Sequence, residues 1–261
     1  MRRAALPLAL CCVVLLSGCS AFLPGGHETT SPPTGNASDY PPGLVVNGVS
    51  DPGALADAHA AVLANASFAY SHSTRATRPG GPPSHRVETL HLSRNRTRFT
   101  SSVNVSGPVF YGDRREAAWG NGTTVATRTR LDGETRYYAG KRPQNIDGNV
   151  SRRSRLLGFY RSFSFAVERT DDGYTLTSTG VRRHAFSQRF REVSNASLVL
   201  HLDPRGVVRS YRLTFDGTSN GDTYHVVETF ALTQVGDVAI ERPPWVEEAL
   251  SNRSTTTTTE R

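Results

Sequence analysis

The chain has 261 residues, a formal net charge of +7 and 37% hydrophobic residues. This length is enough for one domain of about 200 residues with flexible ends. All three cysteines lie within the first 19 residues, so the rest of the chain has no internal disulfide. The fold therefore depends on side-chain packing and strand pairing alone.

Arginine supplies almost all of the positive charge, because Lys141 is the only lysine among the 30 basic residues. Arginine can bind carboxylate and phosphate groups through paired hydrogen bonds, so an anionic partner is one interpretation of this charge. The arginines are spread along the chain, without the basic block that is typical of nucleic-acid-binding arms. For the number of arginines we favour codon bias in a GC-rich genome as the explanation, and we expect no nucleic-acid partner.

The N-terminus has the pattern of an exported lipoprotein. Arg2 and Arg3 precede the apolar residues 4–16, a run too short to span a membrane as a helix and typical of a signal peptide. The next motif, Leu16-Ser17-Gly18-Cys19, resembles the lipobox of prokaryotic lipoproteins. That resemblance implies cleavage before Cys19 and diacylation of its thiol, so membrane lipid is an expected partner. The alternative is a cysteine at the end of a core helix. The sequence is compatible with export by either the general secretory route or the twin-arginine route.

Composition divides the chain into four parts. Residues 1–18 form the signal peptide, and residues 19–43, dense in Pro, Gly, Ser and Thr, form the lipidated cysteine and a disordered tether. Residues 44–250 form a single folded domain, and the Thr-rich segment 251–261 forms a disordered tail. We therefore expect the domain at the extracytoplasmic face of the cell membrane, held there by lipid.

Asparagine usage indicates N-glycosylation. Eight of the 11 asparagines lie in Asn-x-Ser/Thr sequons, whereas about two sequons are expected by chance. The alternative is coincidence combined with the preference of asparagine for turns. The predicted glycosylation sites are Asn36, Asn65, Asn95, Asn104, Asn121, Asn149, Asn195 and Asn252.

Four segments are predicted to contain helix. Ser50 is the expected N-cap of the first one, and Pro52 lies in its first turn, where a missing N–H is harmless. Leu55, Val62 and Leu63 then follow with helical spacing. The other predicted helical segments are 150–162, a short helix over 184–194 and a last turn at 245–250.

Nearly all of the remaining domain has the period-2 alternation of half-buried strands, and Asp132-Gly133 and Asp172-Gly173 are typical hairpin turns. Successive strands joined by tight turns form an antiparallel sheet, and a wide sheet curls. The predicted fold class is therefore α+β: a curved antiparallel half-barrel of roughly 9–11 strands, with two or three helices covering its concave face.

No metal-binding or catalytic motif is predicted. His85 and His91 share one face of a predicted strand, but the chain lacks HxH and HExxH spacings, so we expect no metal site and no cofactor. Glu228 shares a strand face with apolar residues, where it is either buried or at the rim of a cavity. Arg209 and Arg212 are its candidate partners. We assign no catalytic residue and do not expect an enzyme.

The order of segments resembles a known family. After the lipobox and tether come YPPGLVV (40–46), SDPGALADAHAAVLANASFAYS (50–71), LHLDPRGVVRSYRLTF (200–215), YHVVETFALTQVG (224–236) and IERPPW (240–245). This order is similar to that of an uncharacterised haloarchaeal lipoprotein family. In overall plan it also resembles the LolA/LppX-like lipoprotein fold, a curved antiparallel half-barrel closed by helices.

That resemblance implies a cavity between sheet and helices that accepts a lipid or another apolar ligand. The lining residues it suggests are Phe68, Tyr70, Phe99, Val103, Leu200, Tyr211, Leu213, Phe230 and Leu232. The alternative for each is an ordinary place in the core. The expected function is an archaeal, membrane-anchored lipoprotein that binds or carries an apolar ligand. The alternative is a glycosylated structural or interaction module at the cell surface, without a ligand cavity and with a cell-surface glycoprotein as partner.

Overall fold

A computed structural model describes residues 39–141, 150–182 and 189–255 of the chain. Several predictions fall outside these residues: the signal peptide, lipidation of Cys19, most of the tether, the end of the tail, and the sequons of Asn36 and Asn149. The three helices are α1 (Pro52–Ala64), α2 (Arg153–Ser162) and α3 (Trp245–Thr255). Within the described part of the chain, no helix is long and apolar enough to cross a membrane.

Most of the described chain is one open antiparallel sheet. A separate two-stranded sheet contains β1 (Leu44–Val45) and β2 (Gly48–Val49). The main sheet contains β3 (Phe68–Thr77), β4 (Ser84–Leu92), β5 (Phe99–Ser106), β6 (Arg114–Gly120), β7 (Thr124–Leu131), β8 (Glu134–Lys141), β9 (Phe163–Thr170), β10 (Gly173–Val181), β11 (Arg191–Leu202), β12 (Val208–Ser219) and β13 (Asp222–Val235). The α+β fold class with a wide antiparallel sheet is confirmed.

The strand order of the main sheet is β8-β7-β6-β5-β4-β3-β13-β12-β11-β10-β9. Strands β3 to β8 form one meander, in which each strand pairs with the next, and β9 to β13 form a second one. In the main sheet the two meanders are joined by the pairing of β3 with β13, for example at His72 opposite Phe230. We call this junction the seam.

The main core lies on the face of the sheet that α1 and α2 cover, which we call the helix face. Tyr224, Val226, Phe230 and Leu232 alternate along β13 and are all buried. Phe159 and Tyr160 of α2 are both fully buried against this face. An aromatic side chain contributes a large apolar area, so these contacts hold α2 on the sheet.

Helix α3 packs on the opposite face of the sheet. There Trp119, Ala126 and Ala139 form a second apolar cluster with Val246 and Ala249 of the helix. Two of the three helices therefore cover the helix face, and the third one supports β6 to β8 from the other side. The helix also continues to Thr255, beyond the predicted end of the domain at residue 250.

The ordered domain begins before Leu44. The Tyr174 hydroxyl donates a hydrogen bond to the Asp39 carbonyl, and the Tyr40 ring lies 5.3 Å from the Tyr174 ring. The last residues of the segment predicted as tether are thus packed on the domain.

Two helix predictions need correction. Asp51, not Ser50, caps α1, because its carboxylate accepts hydrogen bonds from the backbone N–H groups of Gly53 and Ala54 at 2.9 and 3.0 Å. The predicted helix 184–194 is wrong at its end, where Arg191 already begins β11. Strand pairing with β12 outweighs the local helical spacing there, and residues 183–188 lie outside the described part of the chain.

His59 fixes α1 to the rest of the domain. Its side chain is fully buried, Nε2 lies 2.8 Å from the Ser151 carbonyl oxygen, and Nδ1 accepts a hydrogen bond from the Val208 N–H at 3.1 Å. Because both ring nitrogens are used by a neutral imidazole, protonation breaks the bond to Val208. Burial lowers the pKa of His59 from 6.5 to about 4.

This arrangement predicts a pH dependence. The pKa of His59 is lower in the folded chain than in the unfolded chain, so its stabilising contribution is complete above pH 6.5 and is lost as the pH falls towards 4. The linked free energy is about 3 kcal/mol. We expect urea unfolding to show a steeper loss of stability over this pH range in the wild type than in His59→Gln. Equal slopes in the two proteins would contradict the prediction.

Candidate functional site

A buried carboxylate lies at the seam. Glu228 of β13 is only 6% exposed and accepts hydrogen bonds from the Tyr211 hydroxyl at 2.7 Å and from His72 Nε2 at 3.1 Å. Arg155 of α2 donates from Nε at 3.2 Å, and a terminal guanidinium nitrogen of the same residue also donates. Four donor atoms, from strands β3 and β12 of the sheet and from α2, therefore surround one carboxylate.

These donors determine the charge state of Glu228. Burial alone raises the pKa of this carboxyl, but the hydrogen bonds from His72 and Tyr211 and the charge of Arg155 lower it, with a net result of about 2. Glu228 is thus ionised at any pH near neutrality. A buried ionised carboxylate is stable only when its partners stay in place.

A second, half-buried carboxylate lies on β4, the strand that pairs with β3 next to the seam. Glu88 of β4 accepts hydrogen bonds from the Tyr70 hydroxyl at 2.7 Å, from Arg152 at 3.1 Å and from Arg86 at 3.3 Å. Burial raises the pKa of Glu88, whereas the Arg152 charge and the Tyr70 hydrogen bond lower it, and the net direction is downward.

The two arginines next to these carboxylates are also held by aromatic rings. The Arg152 guanidinium lies 4.9 Å from the Tyr70 ring centroid and 5.7 Å from that of Phe230, and Arg155 lies 4.6 Å from that of Phe159. Cation–π contacts add to the ion pairs when the groups are desolvated. We call the four charged residues Glu88, Arg152, Arg155 and Glu228 the clamp, because they join the start of α2 to strands on both sides of the seam.

The chemistry of the clamp is structural rather than catalytic. His72 and Glu228 are an acid–base pair within hydrogen-bond reach, which is the geometric requirement for general acid–base catalysis. However, both side chains are buried, and protein donors already occupy the carboxylate. A substrate therefore has no direct approach to the Glu228 oxygens within the described structure.

The predicted partners of Glu228 were wrong. Arg209 pairs instead with Asp203 at 2.9 Å, and Arg212 alternates with the buried Tyr211 and so lies on the other face of β12. The actual partner, Arg155, is 73 residues away in sequence. The one local signal for the site was the charged position of Glu228 within an apolar strand face.

One sequence motif has the spacing of a catalytic site. Gly217-Thr218-Ser219-Asn220-Gly221 matches the G-x-S-x-G spacing of a hydrolase nucleophile elbow. The structure places it in the β12–β13 hairpin, whereas the elbow is a turn from a strand into a helix. His225 bonds Asp216 at 2.9 Å, but these two residues alternate with Ser219 and point to the opposite face. The three residues therefore do not form a catalytic triad.

The histidines flagged in the sequence do not converge. His85 and His91 lie on the face of β4 opposite to Glu88, His201 bonds Thr175 at 3.1 Å, and His225 bonds Asp216. Within residues 39–141, 150–182 and 189–255, no group of three potential metal ligands is close enough to hold an ion.

Eight of the nine suggested cavity-lining residues are buried in the main core, and Val103 is half-buried. Among the pockets formed by described residues are one of about 470 Å³ beside Asn65 and Asn95 and one of about 700 Å³ beside Tyr111 and Arg189. None of the nine residues lines either pocket.

The helices in the described part of the chain cover only part of the helix face. The ring and ion-pair contacts of α2 and the neighbouring Arg152 extend from Phe165 on β9 to Glu88 on β4. Strands β5 to β8 lie beyond these contacts. Their half-buried or exposed uncharged residues on this side, which we call the open face, are Ser101, Val103, Ala118, Thr127, Thr129, Leu131 and Tyr138. The charged residues on the same side are Arg114, Glu116, Glu134 and Arg136.

Apolar groups are exposed on the open face. Leu131 is 47% exposed and Tyr138 is 66% exposed. The register places Ser101, Ala118, Thr127 and Tyr138 side by side across four strands. Small side chains in the middle of this row leave room above the sheet, which suits an elongated apolar ligand.

A comparison with protein families identifies the chain. Residues 4–249 match a family of unknown function, DUF7537. The chain belongs to this family. No curated protein matches it.

Solved structures with some similarity to this DUF7537 chain share little sequence with it. LprF from Mycobacterium bovis has a TM-score of 0.41 and 10% identity, with 76% of this chain and 99% of that chain covered. A LolA superfamily protein, NE2245 from Nitrosomonas europaea, has a TM-score of 0.24 and 11% identity, with 73% and 93% covered. A DUF1329 family protein from Desulfovibrio piger has a TM-score of 0.29 and 10% identity, with 76% and 97% covered.

Six of the eight predicted glycosylation sites of this DUF7537 chain lie in the described residues. All six asparagines are exposed: Asn65, Asn95, Asn104, Asn121, Asn195 and Asn252. Asn95 and Asn121 lie in hairpin turns, where each side-chain oxygen accepts hydrogen bonds from the N–H and hydroxyl of the threonine two residues later. Asn195 instead donates to Asp216 at 2.8 Å.

Proposed function

We propose that this protein is a lipid-anchored lipoprotein of the extracytoplasmic membrane face that binds an apolar ligand on its open face. The observation that carries the ligand proposal is the unequal cover of the sheet. Side chains of α2 and Arg152 contact strands from β9 to β4, while Leu131 and Tyr138 on β7 and β8 stay exposed. Exposed apolar groups on a wide sheet face favour a binding surface.

The dimensions of the open face suit a chain-like ligand. Strands in a sheet are about 4.8 Å apart, so the four strands β5 to β8 span about 15 Å between the outer two. Across its middle the face is lined by uncharged side chains such as Ser101 and Ala118, and its charged residues lie towards one end. An acyl or isoprenoid chain gains about 0.8 kcal/mol per buried methylene group on such a surface.

A second candidate function is a glycosylated surface module without a ligand. It is favoured by the packing of eight of the nine suggested lining residues into the core, and by the exposure of all six described sequon asparagines. The partner in that case is a cell-surface glycoprotein. The two candidates differ in whether the open face binds apolar molecules.

A matched pair of variants tests ligand binding. Ala118 and Ala117 are neighbours on β6, both half-buried, and they point to opposite faces of the sheet. We expect Ala118→Trp to weaken binding of a neutral fluorescent hexadecanol probe more than about fivefold, because an indole fills the space above the small residues. Ala117→Trp is the control and is expected to bind as the wild type does.

The outcome separates the two candidate functions. Failure of the wild type to bind the probe, with no apolar molecule seen by native mass spectrometry of protein purified from its host, would overturn the ligand proposal. Equal loss in both tryptophan variants would show general damage to the sheet and would also count against a site on the open face.

Replacement of Cys19 tests the anchor. We expect Cys19→Ser to leave the signal peptide uncleaved at residue 18 and to prevent lipid attachment, since the thiol is the acceptor. The intact-protein mass and metabolic labelling with a radioactive lipid precursor report both changes. Labelling and processing equal to those of the wild type would contradict a lipid-anchored location.

A further inference from the structure

The open face has a charged end. Register places Arg86, Val105 and Arg114 directly opposite one another on β4, β5 and β6, all on the helix face. The next row in the same direction is Glu88, Val103 and Glu116. A row here means the residues that pair side by side across β4, β5 and β6. The third row contains Leu90, Ser101 and Ala118, and the fourth contains Leu92, Phe99 and Gly120, so neither has a charged side chain on these strands.

The Glu88 carboxylate in the second row does not cancel the charges of Arg86 and Arg114. Glu88 already accepts hydrogen bonds from Tyr70 and Arg152, so the clamp neutralises most of its charge. Arg86 contacts the remaining Glu88 oxygen at 3.3 Å and keeps a side chain that is 34% exposed. Arg114 is exposed and has no ion-pair partner within the described part of the chain. The two charged rows continue to Glu134 and Arg136 on β8, which pair with each other at 3.0 Å. Counting Arg152, four guanidinium groups therefore face three carboxylates at this end.

The positions of Arg86 and Arg114 suit one shared anion. They are two strands apart, so their Cα atoms are separated by about 10 Å, with Val105 buried between them. Each guanidinium has a planar set of donors that matches a carboxylate or phosphate group. Leu131 lies beside Arg114 in the same row and adds an apolar contact.

We propose that the ligand of the open face is an anionic single-chain amphiphile whose headgroup binds between Arg86 and Arg114. This inference rests on the proposed function and specifies its substrate class. The charged rows determine the direction of the ligand: its headgroup lies at the Arg86 end, and its chain extends over Ala118 and Thr127 towards the uncharged rows.

A comparison of two probes tests this proposal. One is hexadecanoic acid with a fluorophore at the tail, and the other is the hexadecanol with the same label. At low ionic strength we expect the acid to bind the full-length protein about tenfold more tightly than the alcohol, with the preference decreasing as salt is added. Arg114→Gln should reduce the preference to about threefold or less, because one of two donors is lost.

Arg115→Gln is the matched control. Arg115 is the next residue of β6, is also exposed and points to the other face, so this variant should keep the tenfold preference. Equal binding of acid and alcohol by the wild type would overturn the inference and leave the proposed function intact. Equal effects of the two glutamine variants would also overturn it. Failure of both probes would instead overturn the proposed function.

Discussion

Replacement of Glu228 by alanine is expected to lower the free energy of unfolding by about 3–5 kcal/mol. The variant leaves the Arg155 guanidinium, the Tyr211 hydroxyl and the His72 imidazole at the seam without their shared acceptor. A buried cation without its counterion is far more destabilising than the loss of an exposed ion pair. Urea unfolding followed by tryptophan fluorescence and circular dichroism measures the effect.

Glu134→Ala is the control for this prediction. Glu134 is also a strand glutamate paired with an arginine, at 3.0 Å from Arg136, but its side chain is 71% exposed. We expect a loss of less than about 1 kcal/mol there. A double variant, Glu228→Leu with Arg155→Met, should recover part of the stability because no unpaired charge is left. Similar losses in Glu228→Ala and Glu134→Ala would show that the clamp does not stabilise the fold.

The Glu228 carboxylate also makes the stability of the fold depend on pH in the acidic range. The pKa of Glu228 is about 2 in the folded chain, against an ordinary value of 4.5. Because the folded value is the lower one, the contribution is complete above pH 4.5 and is lost as the pH falls towards 2. This shift corresponds to about 3 kcal/mol. Glu228→Gln lacks that part of the acid dependence, so its stability should fall less than that of the wild type below pH 4.5.

Replacement of Gly173 by alanine is expected to destabilise the fold by about 2–5 kcal/mol. Gly173 begins β10 with φ of +142°, a backbone conformation that other residues rarely adopt. A Cβ atom there would lie 2.0 Å from the Leu202 carbonyl oxygen and 2.9 Å from the Asp203 Cα. Both neighbours are backbone atoms, so relief requires movement of the β10–β11 pair.

Gly180→Ala in the same strand is the control. Gly180 is exposed, and an added Cβ would meet no atom within 4 Å. Alanine also restricts the unfolded chain, so we expect a change between zero and a gain of about 1 kcal/mol. Differential scanning calorimetry of both variants measures the contrast. If Gly173→Ala and Gly180→Ala had the same melting temperature, the predicted clash at Gly173 would be contradicted.

The strands and hairpins were predictable because their signals are local. Asp132 and Gly133 have φ of +52° and +85°, as a two-residue hairpin turn between antiparallel strands requires. The helical spacing of α1 is likewise visible within one short segment. The N-cap was misplaced by one residue because both Ser50 and Asp51 are good caps, and only the backbone geometry selects between them.

The clamp was much less predictable from the sequence, because it depends on where the helices pack against the sheet. The alternation of apolar and polar residues along the strands indicates that Tyr211 and Phe230 are on buried strand faces. It does not indicate that α2 covers these two residues, or that Val103 lies outside the area that α2 covers. The Arg155 partner of Glu228 comes from that helix and therefore has no signal in the strand. Similarly, nothing in the spacing of residues 245–250 shows that α3 packs on the opposite face.

The seam has a consequence for how the chain folds. Every other neighbouring pair of strands in the main sheet is consecutive in sequence, so each meander grows by closing short loops. His72 and Glu228, in contrast, are 156 residues apart. Long-range pairings of this kind are slow, because chain entropy is lost before contacts compensate for it. The two halves are thus expected to collapse separately, and their joining, with burial of the ion pairs between them, is the rate-limiting event.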